Sequence, residues 1–175
     1  MMCVLDILNK MQRSYDNPAV IFNDDIYTYT WLYERTSYYY EALNKQGIKP
    51  GHVVEIQTDY TPESLAIFLA LIRLSAIVMP LTNVHIEKQK EYEQIVNPEF
   101  IISVDSHQQV TIRPTLLSSA HELITELRTR QQAGLIILSS GSTGRSKAIV
   151  HDFSLLTQGI IASKKRLKVI SFLLF

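Results

Sequence analysis

Short apolar runs of four or five residues alternate along the chain with longer stretches whose apolar positions recur every three or four residues. The first pattern suits buried strands and the second suits amphipathic helices. Ala19 to Phe22 and Ile26 to Tyr29 flank Asn23-Asp24-Asp25, which predicts a hairpin. Thr30 is placed to cap a helix through about Gln46, with Gly47 where a helix-ending glycine belongs. Lys49-Pro50-Gly51 reads as a turn and Val53 to Ile56 as a strand. Thr61 followed by Pro62 predicts a capped helix start, running to about Leu74. Ala76 to Met79 is the next strand, stopped by Pro80. A polar helix from Ile86 to Val96 ends at Asn97-Pro98, because the residue before proline avoids the helical region.

The second half repeats the alternation. Phe100 to Val104 is a strand, Leu116 to Arg130 a helix and Gly134 to Leu138 a strand. Asp152 is placed to cap a helix near Phe153 to Lys165, and Leu167 to Phe175 is a last strand candidate. Strands alternating with helices predict an α/β fold with a largely parallel sheet. No repeat, low-complexity tract or linker divides the chain.

Composition narrows this picture. The 175 residues suffice for one domain with a core, and 46% hydrophobic with 19% charged residues suit a globular protein. Seventeen basic and seventeen acidic side chains give a net charge of zero, which argues against nucleic acid or an anionic membrane as the main partner. A single cysteine, Cys3, excludes an internal disulfide framework. The first residues lack the basic region of a secretory signal. The longest apolar stretch, Leu65 to Met79, is broken by Arg73 and Ser75 and falls short of the roughly 20 residues of a membrane span. The expected location is the cytoplasm.

The chemistry concentrates between Leu138 and His151. This stretch packs Ser139, Ser140, Ser142 and Thr143, the glycines Gly141 and Gly144, and Lys147 behind an apolar strand. Glycines let a backbone approach an anion closely, hydroxyls donate hydrogen bonds, and a lysine supplies a point charge for phosphate oxygens. The run is not a Walker A loop, since Lys147 lies between Ser146 and Ala148 rather than between Gly and Ser or Thr.

The run resembles the signature loop of the adenylate-forming, AMP-binding superfamily, whose pattern is Ser/Thr-Ser-Gly-Ser/Thr-Thr-Gly-x-Pro-Lys-Gly. Ser146 stands at the proline of that pattern and Ala148 at the last glycine; neither change removes a phosphate ligand. Thr28-Tyr29-Thr30-Trp31-Leu32 is similar to the family's early LTYAEL segment, and Leu43 to Val54 to its Gly-Val-Lys-Pro-Gly-Asp-Val-Val segment. Glu63 to Leu81 resembles the helix and strand written A…AGAVYVPL, with Arg73-Leu74-Ser75-Ala76 replacing Lys-Ala-Gly-Ala. The likeness extends from about Asp16 to Ser154.

The resemblance implies the N-terminal part of an ATP-dependent ligase of the acyl-CoA synthetase type. Such an enzyme joins a small-molecule carboxylate to ATP, giving acyl-AMP and pyrophosphate, after which a thiol, commonly that of coenzyme A, displaces AMP. ATP and Mg²⁺ are the implied cofactors. Ser139, Ser140, Gly141, Ser142, Thr143, Gly144 and Lys147 would hold the ATP phosphates, with Thr143 near the Mg²⁺, and no general base is implied within this chain. Members of the family run several hundred residues further, so residues 1–175 are expected to form an incomplete N-terminal domain without the C-terminal domain. Alone, the chain is expected to be inactive and to associate through its apolar C-terminal end. The competing reading is a non-catalytic remnant or interaction module with the same fold; a third is a stand-alone phosphate-binding domain.

Other residues receive blander readings. His151 is expected at a helix start beside the loop, and Asp152 as a cap rather than a metal ligand. Tyr38-Tyr39-Tyr40 cannot share one helix face. Lys164-Lys165-Arg166 reads as a solvated helix end. His85, His107 and His121 lack metal-ligand spacing, and Cys3 sits too near the terminus to serve as a nucleophile.

Overall fold

Asn23 and Asp24 have φ of 50° and 66°. Two consecutive left-handed residues make the mirror-image turn that suits the twist of a two-residue hairpin, and Asn and Asp tolerate that region well. The turn joins β1 (Pro18–Phe22) to β2 (Asp25–Thr28), with Ile21 opposite Ile26. The structure, a computed structural model, describes residues 11, 15–82, 86–140 and 146–167.

Helix α1 (Tyr29–Lys45) begins slightly earlier than the sequence suggests. Thr28, not Thr30, is the cap: its hydroxyl accepts from the Trp31 amide at 3.2 Å, while the Thr30 hydroxyl donates to the Tyr15 carbonyl at 2.9 Å. Leu32, Thr36, Tyr39 and Leu43 form its buried stripe. The tyrosine triplet divides as its spacing requires: Tyr39 is buried, Tyr38 is exposed, and Tyr40 lies under the Arg73 guanidinium at 4.0 Å. Helix α2 (Pro62–Arg73) starts as expected, with a reciprocal capping box between Thr61 and Ser64.

The main sheet has six strands: β3 (Val53–Gln57), β4 (Ile77–Leu81), β5 (Phe100–Val104), β6 (Val110–Pro114), β7 (Gly134–Ser140) and β8 (Ser146–Asp152). Their order is β6-β5-β3-β4-β7-β8. The inner four are parallel, and β6 and β8 are antiparallel edges. The expected α/β fold with a largely parallel sheet is therefore present. Helices α1 and α2 cover the face bearing Val54, Ile56, Val78 and Ile102. Helices α3 (Ile86–Val96) and α4 (Glu122–Thr129) cover the face bearing Val53, Ile77, Met79 and Ile136.

Several boundaries depart from expectation. Pro80 lies inside β4 rather than stopping it. The Ile77 amide donates to His52 beside β3, so by alternation position 80 faces the β7 side, where pairing ends at Val78. A missing amide there breaks no ladder bond. Helix α4 begins only after His121, whose ring accepts from the Leu123 amide, and Leu116 is fully exposed ahead of it. Strands β6 and β8 have no counterpart among the elements that the sequence pattern predicts. Helix α5 (Phe153–Leu167) starts where expected, with Asp152 Oδ1 accepting from the Ser154 and Leu155 amides at 2.8 and 3.2 Å. The expected last strand and the apolar C-terminal end fall at 168–175, outside the described residues, except that Leu167 closes α5.

Candidate functional site

Strands β7 and β8 form an antiparallel hairpin whose ladder runs from Gly134 opposite Asp152 to Ser140 opposite Ser146. The Ser/Thr/Gly-rich segment thus joins the two strands of an edge hairpin rather than a strand and a helix. Of the predicted phosphate ligands, Ser139 and Lys147 stand directly opposite each other, and Ser140 closes β7. Gly141, Ser142, Thr143 and Gly144 lie outside the described residues. Register partners share a face, and alternation puts Ser139 and Lys147 on the face away from α3 and α4. Lys147 is exposed and has no acidic partner among the described residues. A hydroxyl beside an exposed ammonium is a donor set that can bind an anionic oxygen such as that of a phosphate.

His151 does not stand beside the turn. It pairs with Leu135 near the far end of the hairpin, because residues 146–152 are strand and not helix.

The inner strands all run the same way, so the ends of β3, β4, β5 and β7 share one edge of the sheet with the hairpin turn. Connections leave β3 toward β4 on one side and return to β5 on the other, the arrangement that opens a crevice at the carboxyl edge. A cleft of about 220 Å³ lies there, lined by Gln57, Thr58, Leu81, Thr82, Gln89, Ser103 and Val104. Its polar side chains are ordered from behind. The Ser103 hydroxyl donates to Gln57 Oε1 at 2.9 Å, and Gln57 Nε2 donates to Glu55 Oε1 at 2.6 Å. Glu55 is fully buried in the central strand, and its second oxygen has no hydrogen-bond partner among the described residues. Burial pushes its carboxyl up to about 7, against the lowering effect of the Gln57 hydrogen bond.

On α3, Glu91 touches the hairpin. Glu91 Oε1 accepts from the Ser146 amide at 3.1 Å, and Oε2 pairs with Lys88 at 2.7 Å. The Lys88 ammonium, with hydrogen bonding from Ser146, holds the Glu91 carboxyl down at about 2. Sequence reasoning singles out neither Glu55 nor Glu91. Glu91 sits in an unremarkable polar helix, and its partner lies 55 positions away.

A family model described as AMP-binding enzyme matches residues 8–97, just over half of the chain. Bacitracin synthase 2 of Bacillus licheniformis is 24% identical over 166 residues, covering 90% of this chain and 6% of that protein. Tyrocidine synthase 3 of Brevibacillus parabrevis is 24% identical over 151 residues, covering 81% and 2%. Among solved structures, the NpsA N-terminal subdomain of Klebsiella oxytoca in complex with 3-hydroxyanthranilyl-AMSN superposes with a TM-score of 0.66 at 25% identity, over 86% of this chain and 40% of that one. VinN in complex with 3-methylaspartate shares the fold at a TM-score of 0.67 and 17% identity, over 93% and 51%. The chain thus spans less than a tenth of the curated relatives named here and under half of the NpsA subdomain. Nonribosomal peptide synthetase 32 of Fusarium pseudograminearum is 25% identical over 184 residues, covering 91% of this chain and 2% of that protein, and none of these relatives supports coenzyme A as the acceptor. No helix among the described residues is long and apolar enough to cross a membrane. On the match over residues 8–97, just over half of its length, this chain belongs to the AMP-binding enzyme family of adenylate-forming proteins.

Proposed function

We propose that the chain is part of the large domain of an adenylating enzyme and that its β7–β8 turn holds the phosphates of MgATP. In the complete enzyme a carboxylate attacks the α-phosphorus, giving acyl-AMP and pyrophosphate. Ser139, Ser140, Gly141, Ser142, Thr143 and Gly144 wrap the β- and γ-phosphates, and Lys147 neutralises the leaving pyrophosphate. Positioning and charge supply most of the catalysis in such transfers, which suits a loop without a general base. The observation that carries the reading is the placement of Ser139 opposite Lys147 at the carboxyl edge of the sheet.

The acceptor in this reading is the thiol of a carrier protein rather than coenzyme A; one structural relative, NpsA-ThdA of Klebsiella oxytoca, is an artificially fused adenylation–PCP di-domain. Residues 1–175 correspond to an incomplete N-terminal domain, and by themselves they bind nucleotide without turning it over.

Calorimetric titration of the chain with MgATP tests the proposal. Lys147→Ala is expected to weaken binding about tenfold or more, the effect of losing one charged hydrogen-bonding group. Equal affinity in the variant would remove Lys147 from the site.

A second reading, a non-catalytic interaction module, is favoured by one observation. Ile137 and Ile149 face each other across the hairpin with exposures of 44% and 48%. It predicts no nucleotide binding by the wild-type chain.

A further inference from the structure

The loop of this chain carries Ser146 where the family pattern has proline. A proline there would lock φ near −65° and dispense with an amide. Ser146 leaves φ free and keeps its N–H. That N–H is not left to solvent: it donates to Glu91 on α3 at 3.1 Å. We propose that Glu91 is a positioning residue for Lys147, a side-chain clamp on the first residue of β8 that replaces the constraint a proline would impose on this loop.

The clamp is built from three layers. Ser146 is the residue directly before Lys147, so fixing its amide fixes where Lys147 leaves the turn opposite Ser139. Glu91 is held in turn by Lys88, one helical turn earlier, at 2.7 Å. Lys88 lies 5.6 Å from the ring of Tyr92, which is buried in the core between α3 and the sheet. The pairing with Lys88 also matters for charge. A lone carboxylate beside a polyphosphate loop would repel its ligand, whereas the Lys88–Glu91 pair is neutral and presents only an acceptor to the backbone. An exposed i,i+3 ion pair contributes little by itself. What makes this one consequential is its third member, the Ser146 amide at the base of the loop.

The inference rests on the phosphate reading of the turn, and the test separates the two. Four chains are compared: wild type, Glu91→Ala, Ser146→Pro and the double variant. MgATP affinity is measured by calorimetry, and amide exchange is followed along β8. Ser146→Pro costs no ladder bond, because the Ser146 amide points to Glu91 and not to β7. Glu91→Ala should weaken MgATP about 2- to 10-fold, the range for one hydrogen bond, and speed exchange at Lys147 and Ile149, whose amides face β7, with the thermal midpoint little changed. Glu91→Gln, which keeps an acceptor, should recover most of the loss. In the Ser146→Pro background Glu91→Ala should change neither readout. An equal loss in both backgrounds, or no loss in either, overturns the clamp. If the wild-type chain binds no MgATP, the phosphate reading fails and exchange alone decides. Faster exchange in Glu91→Ala that Ser146→Pro abolishes then supports the clamp, and unchanged exchange overturns it.

Discussion

Arg128 Nη2 and Glu99 Oε1 meet at 2.6 Å beside the amino ends of β3 and β5. The other guanidinium nitrogens donate to the carbonyls of Gly51 at 2.9 Å and Ser119 at 2.6 Å, while Glu99 Oε2 accepts from the Val53 amide at 2.6 Å. One planar fork thus ties α4 to the turn before β3 and to the residue before β5. Arg128→Lys, which keeps the charge and loses the fork, should destabilise the fold by about 2 kcal/mol, and Arg128→Ala by about 3–4 kcal/mol, read from urea midpoints. Gly51 belongs to the same joint. Its φ is +81° and an added Cβ would lie 2.7 Å from Arg128 Cγ, so Gly51→Ala should push the arginine off its three partners.

Stability should fall as pH rises through neutrality. The Glu55 carboxyl sits near 7 in the fold and near 4.5 when unfolded, chiefly because of burial. Between those values the native state holds a proton that the unfolded chain has released, so unfolding becomes easier with rising pH. The contribution is complete below about pH 4.5 and lost above about pH 7, with a span on the order of 3 kcal/mol. Glu55→Gln should flatten this slope and raise stability at pH 8. Urea midpoints that fall equally between pH 5 and 8 in both proteins would assign the slope to another group.

Removing the Thr61 hydroxyl should cost about 1 kcal/mol. Thr61 and Ser64 satisfy each other's backbone amides at 3.1 and 2.9 Å. Thr61→Ala breaks one arm of that exchange at the start of the most buried helix. Thermal unfolding of Thr61→Ala and Thr61→Ser reads it: serine should recover most of the loss.

Replacing Ile137 and Ile149 together by threonine should keep the fold and reduce self-association. Both are strand-compatible, both face outward, and their partners across the ladder are each other. Sedimentation at two concentrations reads the change; identical association in the variant would place the sticky surface elsewhere.

What is legible in the sequence is local. Thr61-Pro62, Asn23-Asp24 and Gly47 each declare a cap or turn through their own backbone preferences, and the structure uses all three there. Strand β6 escapes a sequence reading because Val110-Thr-Ile-Arg-Pro is short and holds its place through pairing with β5. Strand β8 escapes it because its first residues carry the loop motif, and a motif says which chemistry gathers but not whether its flanks pair. Glu55 illustrates a deeper limit. In Val53-Val54-Glu55-Ile56-Gln57 a charge at an alternating position suggests a solvent face, yet α3 covers that face, so the carboxyl is buried. The residues of the candidate site are nameable from the motif; the hairpin that sets Ser139 against Lys147, and the Glu91 contact beneath it, depend on chain segments far apart in sequence.

The hairpin also decides where the electrostatics of this site come from. In many phosphate sites the anion sits on the first turn of a helix and draws on the macrodipole. Here the seven residues of β8 separate the turn from the start of α5, about 20 Å of extended chain, and the first three amides of that helix are already taken, Phe153 by the Ala133 carbonyl and Ser154 and Leu155 by Asp152. That distance exceeds the screening length of about 8 Å at physiological ionic strength. A phosphate held at this turn would therefore owe its binding to Lys147 and to the loop's own amides and hydroxyls. Its affinity should decline steeply with added salt.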